Sequence, residues 1–271
     1  ANYYSKQGIH INRDTCYLNH ILTYVKEGKM KGLNNRILRE CGAELKFYPG
    51  LPLFFKQIKE LIENDSNYKS CDIRLEHYVV STGFAETIQG SAIAPYVDGI
   101  FGCEFIETPA PSGFIAEYSN SKENEISQIA IALDNTSKTR YLFEINKGSN
   151  KFPETIDVNS FIEPENRRIP FRNMLYIADG PSDVPAFSIL NNHQGSTFAI
   201  YPKGDSKAFK QVEQLRKDKR IETFGEADYS EGTHTWMWLT TRVKEIADGI
   251  LKRHKDTLQK SSSVPPGHLS L

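Results

Sequence analysis

The stretch Met174–Phe187, MLYIADGPSDVPAF, constrains the fold of this chain more than any other. It opens with the apolar run 174–177, which is typical of a strand buried in a parallel sheet. A Gly-Pro pair at 180–181 predicts a tight turn, and residues 184–190 predict a helix after it. Because strands that alternate with helices form parallel sheets, the stretch predicts an α/β fold.

Two carboxylates lie in this connection between strand and helix. Asp179 follows the predicted strand directly, and Asp183 stands where the helix would begin. Open α/β sheets bind ligands outside the carboxyl ends of their strands, and carboxylates are common Mg²⁺ ligands. The pattern therefore predicts a Mg²⁺ site. The ordinary alternative is that Asp183 is only a helix N-cap and Asp179 only a turn residue.

The stretch resembles the last acidic motif of the haloacid dehalogenase (HAD)-like superfamily of phosphohydrolases, in its phosphoserine-phosphatase-like form. That motif is an apolar strand followed by Gly-Asp-Gly-x-x-Asp, and here it reads ADGPSD, with Ala178 in place of the first Gly. The resemblance implies a Rossmann-like three-layer α/β/α core with a parallel sheet, plus a small α-helical cap. It also implies a Mg²⁺-dependent phosphatase with Asp179 and Asp183 at the metal.

A second stretch fits the order of motifs in that family. Residues 78–80 are β-formers and lead into Ser81, Thr82 and Gly83. A hydroxyl and backbone N–H groups at the end of a strand can bind phosphate oxygens. The resemblance implies that Ser81 is the motif hydroxyl, with Thr82 as the rival. The alternative is ordinary turn chemistry, which uses the same residue types.

The third motif of the family is a lysine that neutralises the nucleophile and the transferring phosphoryl group. Lys147, which follows a helix predicted over 138–146 and precedes Gly148, is the residue that the resemblance selects. Lys151 is the runner-up. Most lysines are solvated surface residues, so motif order alone distinguishes Lys147 from them.

The nucleophile is the main departure from the family pattern. HAD-like phosphatases attack phosphate with the first Asp of Asp-x-Asp at the end of the first strand, and form an aspartyl-phosphate. The 271 residues contain no Asp-x-Asp, and residues 1–12 are too polar for such a strand. We expect the motif to lie upstream of Ala1. The alternative is a HAD-like fold without a nucleophile that serves as a binding or regulatory module.

The order of elements predicts three segments. Apolar spacing predicts helices in residues 12–47, which the resemblance identifies as the α-helical cap. Residues 48–251 are predicted to form the α/β core, with further strands at 99–105 and 196–201 and an ambiguous apolar segment at 126–133. Residues 252–271 are predicted to be a C-terminal tail that is disordered at its end.

Composition narrows the class of partner. The net charge is −1 and there is no long basic run, which argues against nucleic acid. No apolar run approaches the ~20 residues of a membrane span. The four cysteines form no C-x-x-C pair, so we expect reduced thiols in a cytoplasmic protein. The expected partner is a small phosphorylated molecule, and the sequence indicates no oligomeric state.

Overall fold

The computed structural model describes residues 1–110, 113 and 124–262. In this part of the chain the strands are β1 (Tyr78–Phe84), β2 (Gly99–Ile106), β3 (Gln128–Ile131), β4 (Leu175–Ala178), β5 (Ser196–Tyr201) and β6 (Thr223–Glu226). The α-helices are α1 (Asn2–Ser5), α2 (Arg13–Lys26), α3 (Asn35–Glu40), α4 (Leu53–Glu63), α5 (Ser66–Lys69), α6 (Ala85–Gln89), α7 (Lys138–Lys147), α8 (Val184–Asn192), α9 (Ser206–Lys217) and α10 (His234–Ser262). The chain is therefore α/β, as predicted.

The chain forms two compact units. Unit 1 contains Ala1–Phe47 and the described residues of His77–Ile145, and unit 2 contains Tyr48–Glu76 and the described residues of Asn146–Leu271. The predicted division at residue 47 thus coincides with one boundary between the units. Segment 77–145, which we had predicted to be part of a 48–251 core, instead shares a unit with the N-terminal helices.

The reason for this grouping is a shared hydrophobic core in unit 1. Leu18 of α2 and Leu38 of α3 are buried in the same cluster as Cys103 and Phe105 of β2. Such a continuous apolar core is what makes a segment part of one unit. Helices in residues 12–47 are confirmed, but they pack on a sheet of their own unit.

The sheet of unit 1 has the order β1-β2-β3. Strands β1 and β2 are parallel, whereas β2 and β3 are antiparallel. The strand predicted at 99–105 is confirmed, and the ambiguous segment 126–133 contains β3. The sequence also predicts that residues 113–118 form a β-ribbon with this strand, and apart from Gly113 that segment lies outside the described residues.

Strand β1 is irregular at the predicted phosphate-binding residues. Val80 pairs with Phe101, and the next registered pair is Phe84 with Cys103. Four steps along β1 therefore match two along β2, so residues 81–83 bulge from the ladder. We predicted Ser81 at the carboxyl end of the strand. That was wrong, because pairing resumes at Phe84 after the bulge.

The sheet of unit 2 is parallel, with the order β4-β5-β6. Alternate residues of β5 face opposite layers: Phe198 packs in a cluster with α4 and α10, and Ala199 in a cluster with α8 and α9. Helices therefore cover both faces of the parallel sheet. Residues 196–200 are all buried, which is typical of a central parallel strand.

Helix α10 continues to Ser262, well into the segment 252–271 that we predicted as a tail. Residues 263–271, the predicted disordered end, lie outside the described part of the chain. Within the described residues, no helix combines the length and the apolar character that crossing a membrane requires.

Replacing Phe198 with Ala should destabilise unit 2 by about 3–5 kcal/mol, because the phenyl ring is fully buried and its removal leaves a cavity. Urea unfolding followed by circular dichroism would measure the loss. The matched control is Phe161→Ala, since the Phe161 ring is 81% exposed and its removal should change stability by no more than about 0.5 kcal/mol. Equal losses for the two variants would contradict the buried position of β5.

Candidate active site

The two predicted metal ligands lie in unit 2, at the carboxyl end of β4. Asp179 follows Ala178, the last residue of the strand, and is exposed. Residues 181–183 form a short 3-10 helix that leads into α8. Asp183 stands at the N-cap position of α8 and is 3% exposed. The strand, turn and helix that the sequence predicted are therefore confirmed.

The side chain of Asp183 does not cap the helix. It accepts no capping hydrogen bond from a backbone N–H of α8, although Asp is among the best N-cap residues. Two hydroxyls bind the carboxylate instead. Tyr176 Oη donates to Asp183 Oδ1 at 2.7 Å, and Ser182 Oγ donates to Asp183 Oδ2 at 2.8 Å. The buried carboxylate is thus oriented by side chains of β4 and of its own turn.

The charges of both carboxylates act on the Tyr176 hydroxyl. Burial raises the pKa of Tyr176 above its usual value, and the nearby charges of Asp183 and Asp179 raise it further. The hydroxyl therefore keeps its proton and acts as a hydrogen-bond donor at physiological pH. Asp179 and Asp183 both lie in the short connection between β4 and α8.

Other charged residues follow the strands of the same sheet. Since β4, β5 and β6 are parallel, their carboxyl ends lie at one edge, and Lys203 and Asp228 follow β5 and β6 there. The Ser230 N–H donates to Asp228 Oδ1 at 2.9 Å and lowers the pKa of Asp228, and Lys203 lowers it further. This edge is rich in charge beyond the two aspartates that the sequence motif singled out.

The two carboxylates after β4 are of the ligand type that Mg²⁺ uses in proteins. This ion is usually held by one or two carboxylates, with water and substrate phosphate completing its shell. Asp179 offers an exposed carboxylate, and Asp183 offers one that is fixed by hydrogen bonds, as carboxylate ligands of metals commonly are. In the described residues there is no cluster of three or more His, Cys, Asp or Glu side chains that could hold a metal.

The predicted phosphate-binding residues lie in unit 1, within the bulge of β1. Ser81 Oγ accepts a hydrogen bond from the Gly83 N–H at 3.0 Å. The Thr82 carbonyl accepts hydrogen bonds from the Tyr17 hydroxyl at 2.6 Å and from the Cys103 thiol at 3.3 Å. Residues 81–83 are half-buried. The bulge is therefore held by its own hydroxyl on one side and by α2 and β2 on the other.

The predicted lysine, Lys147, is the last residue of α7 and lies in unit 2. Its ammonium donates to the carbonyls of Val158 and Ser160 at 2.6 and 2.7 Å. Lys147 therefore fastens the irregular segment after α7 to the end of that helix. The runner-up, Lys151, is exposed.

Sequence reasoning missed a second lysine. Among the described residues, Lys138 and Asp183 are the charged side chains that are buried, with 7% of Lys138 exposed. Lys138 is the first residue of α7 and lies in unit 1. Buried charges are rare unless they are paired or functional. No local sequence signal marks Lys138, because its burial results from contacts with distant parts of the chain.

The candidate residues thus fall into two groups. Ser81, Thr82 and Gly83 belong to unit 1, whereas Lys147 and the two aspartates belong to unit 2. A surface cleft of about 520 Å³ in unit 2 contains none of them. It is lined by Asn191, Arg216, Lys217, Lys219, Ile221 and Glu222.

Comparison with known proteins places the chain in a family. A protein of Borreliella burgdorferi, described as uncharacterized, is 39% identical over 245 residues, which cover 89% of this chain and 82% of that protein. The chain belongs to the same family as this protein. No model of a known family matches the chain, and no solved structure matches it. The description of the Borreliella burgdorferi protein assigns no activity.

Replacing Lys147 with Met should loosen residues 152–162, because the substitution removes both hydrogen bonds to the carbonyls of that segment. Hydrogen bonds to charged groups contribute about 1.5–3 kcal/mol each, so we expect amide hydrogen exchange there to become about tenfold faster or more. Mass spectrometry of exchanged peptides would measure it. Lys207→Met, on the exposed start of α9, is the control and should leave the exchange of residues 152–162 unchanged.

Proposed function

We propose that this protein is a Mg²⁺-dependent phosphohydrolase of the HAD-like type that acts on a small phosphomonoester. The observation that carries the proposal is the pair Asp179 and Asp183 at the carboxyl end of a parallel strand, followed by a helix. Ligands of open α/β sheets bind at this position. The four cysteines are unpaired, which supports a cytoplasmic location as part of the proposal.

Asp179 and Asp183 are the proposed Mg²⁺ ligands, either directly or through water. Mg²⁺, when bound, supplies positive charge that offsets the charge of the phosphoryl group. The exposed Asp179 can reach an ion from solvent, while the hydrogen bonds to Asp183 fix its orientation. In the proposed reaction, the first aspartate of an Asp-x-Asp motif attacks phosphorus, and the second donates a proton to the alcohol as its bond to phosphorus breaks. The second aspartate then takes a proton from the water that hydrolyses the aspartyl-phosphate. The 271 residues do not contain this motif.

The proposed phosphate-binding residues are Ser81, Thr82 and Gly83. The bulge of β1 supports this role, since bulges concentrate next to active sites and redirect side chains and backbone N–H groups. The Ser81 hydroxyl already accepts the Gly83 N–H, and its own proton can be donated to a phosphate oxygen. Within the bulge, the Ser81 hydroxyl is therefore the group that would donate to a phosphate oxygen.

Two lysines are candidates for neutralising charge during the reaction. Lys147 has the motif position, but its ammonium is bound to two carbonyls. Lys138 is buried, and a buried ammonium acts on a nearby anion with less screening by water. Motif order favours Lys147 for this role, and burial favours Lys138 as the alternative.

The activity itself can be tested with the full-length protein and a panel of phosphomonoesters, with and without Mg²⁺. We expect Mg²⁺-dependent release of phosphate from at least one member. Lys147→Met and Lys138→Met are compared on that substrate, and loss of about 100-fold or more in kcat is expected for the lysine that stabilises transferred charge. No Mg²⁺-dependent turnover on any substrate would argue strongly against the proposal.

Asp183→Asn tests the metal site directly. Asn keeps the size of the side chain, and its amide can still pair with the hydroxyls of Tyr176 and Ser182, so the variant should fold in EDTA. Loss of the negative charge should weaken Mg²⁺ binding by tenfold or more, which is about 1.4 kcal/mol. Calorimetric titration of both proteins with Mg²⁺ measures the difference, and equal affinities would remove Asp183 from the site.

A second candidate function is binding of a phosphorylated ligand without hydrolysis. The observation that favours it is that the 271 residues contain no Asp-x-Asp. Function depends on sites rather than on a fold, so a HAD-like protein without the nucleophile would remain a binding or regulatory module. Such a module would bind a phosphomonoester and Mg²⁺ in calorimetry but release no phosphate in the assay described above.

A further inference from the structure

The hydrogen bonds of Asp183 connect the proposed metal site to β4, the strand that precedes it, and to the turn after that strand. Asp183 occupies the N-cap position of α8 without capping it. An Asp side chain that caps a helix stabilises a protein by about 0.5–2 kcal/mol relative to Ala, so this carboxylate forgoes a favourable local interaction. Something in the tertiary structure must hold it in its other orientation.

The hydroxyl of Tyr176 holds the carboxylate in this orientation. The hydroxyl donates to Asp183 Oδ1 at 2.7 Å, a short bond of the kind that charged acceptors make. Burial of a carboxylate is costly unless it is hydrogen-bonded, and here Tyr176 and Ser182 bind one oxygen each.

The ring of Tyr176 is itself held in place. It packs edge to face on Phe187, with the ring centroids 5.5 Å apart and an interplanar angle of 89°. Phe187 is fully buried and belongs to α8, the helix that begins after Asp183. Strand β4 therefore carries the Tyr176 hydroxyl. Helix α8 carries Phe187, on which the ring packs, and has Asp183 at its N-cap position. The Tyr176–Asp183 bond is fixed from both sides.

We propose that Tyr176 is a positioning residue for Mg²⁺ binding, which acts by holding the Asp183 carboxylate away from the helix cap and in the orientation of a ligand. The inference rests on the proposed function of Asp179 and Asp183. Groups that hydrogen-bond a metal ligand typically change metal affinity by about 10–100-fold when they are removed. Tyr176 touches neither substrate nor metal in this role.

The test is a double-mutant cycle in Mg²⁺ affinity, measured by calorimetry on the full chain. The four proteins are wild type, Tyr176→Phe, Asp183→Asn and the double variant. Tyr176→Phe keeps the ring on Phe187 and removes only the hydroxyl, so we expect a folded protein with Mg²⁺ affinity about tenfold lower. In the Asp183→Asn background the same change should alter the affinity less than about twofold, because Tyr176 acts through Asp183.

Two further variants complete the design. Tyr201→Phe, on the neighbouring strand β5, makes the same change in a ring that packs on Phe209 and Phe224, and it should leave Mg²⁺ affinity unchanged. Ser182→Ala removes the donor to the other oxygen of Asp183 and should weaken binding in the same direction as Tyr176→Phe. It provides a second measurement if Tyr176→Phe does not fold.

The outcomes separate this inference from the function on which it rests. Wild type that binds no Mg²⁺ would overturn the proposed function together with the inference. Wild type that binds Mg²⁺, with Tyr176→Phe and Ser182→Ala binding equally well, would overturn the inference alone. An equal loss from Tyr176→Phe in both backgrounds would also overturn it, because the tyrosine would then act independently of Asp183.

Discussion

Parallel pairing on both sides of β5 is the interaction on which unit 2 depends. Strands β4 and β6 both pair with β5, and parallel neighbours must be joined by crossover connections, which α8 and α9 provide. These helices cover one face of the sheet, while α4 and α10 cover the other. The same pairing places the carboxyl ends of all three strands at one edge, so residues far apart in sequence meet there.

At this edge of the sheet, the carboxylate of Asp183 is buried, which is unfavourable unless it is hydrogen-bonded. A carboxylate that is 3% exposed needs hydrogen-bond donors, and Asp183 receives them from Tyr176 and Ser182. Its neighbour Asp179 remains exposed. Two carboxylates in one neighbourhood repel each other, and a cation would offset that repulsion. The structure thus adds to the motif spacing a difference between the two carboxylates. Asp183 is buried and held by hydrogen bonds, whereas Asp179 is exposed.

Unit 1 departs from regular structure at the residues that the sequence singled out. Regular pairing of β1 with β2 would leave Ser81 in the strand ladder, but the bulge at 81–83 displaces it. The bulge is supported by hydrogen bonds from Tyr17 and Cys103 to Thr82. Lys138, in the same unit, is buried at the start of α7. The polar features of this unit therefore depend on contacts between segments that are distant in the chain.

The sequence by itself determined the elements of unit 2 that carry local signals. The apolar run before Asp179 predicted β4, and the Gly-Pro turn and its following helix were confirmed, because hydrophobic patterning and turn chemistry are local. Local polarity is misleading at residues 64–71, which are polar enough to suggest a loop, because Asp65 caps the short helix α5 there. Residues 174–192 were informative because their strand, turn and helix follow one another and are specified by local sequence.

Only the tertiary structure decided what the candidate side chains contact. N-cap preference made helix capping the ordinary alternative to metal binding for Asp183, but its carboxylate accepts the Tyr176 hydroxyl and does not cap α8. Motif order selected Lys147, yet its partners are carbonyls eleven and thirteen residues further along the chain. Burial of Lys138 has no signature in sequence. Side-chain partners and burial depend on which segments pack together, and that is a property of the folded chain rather than of any local pattern.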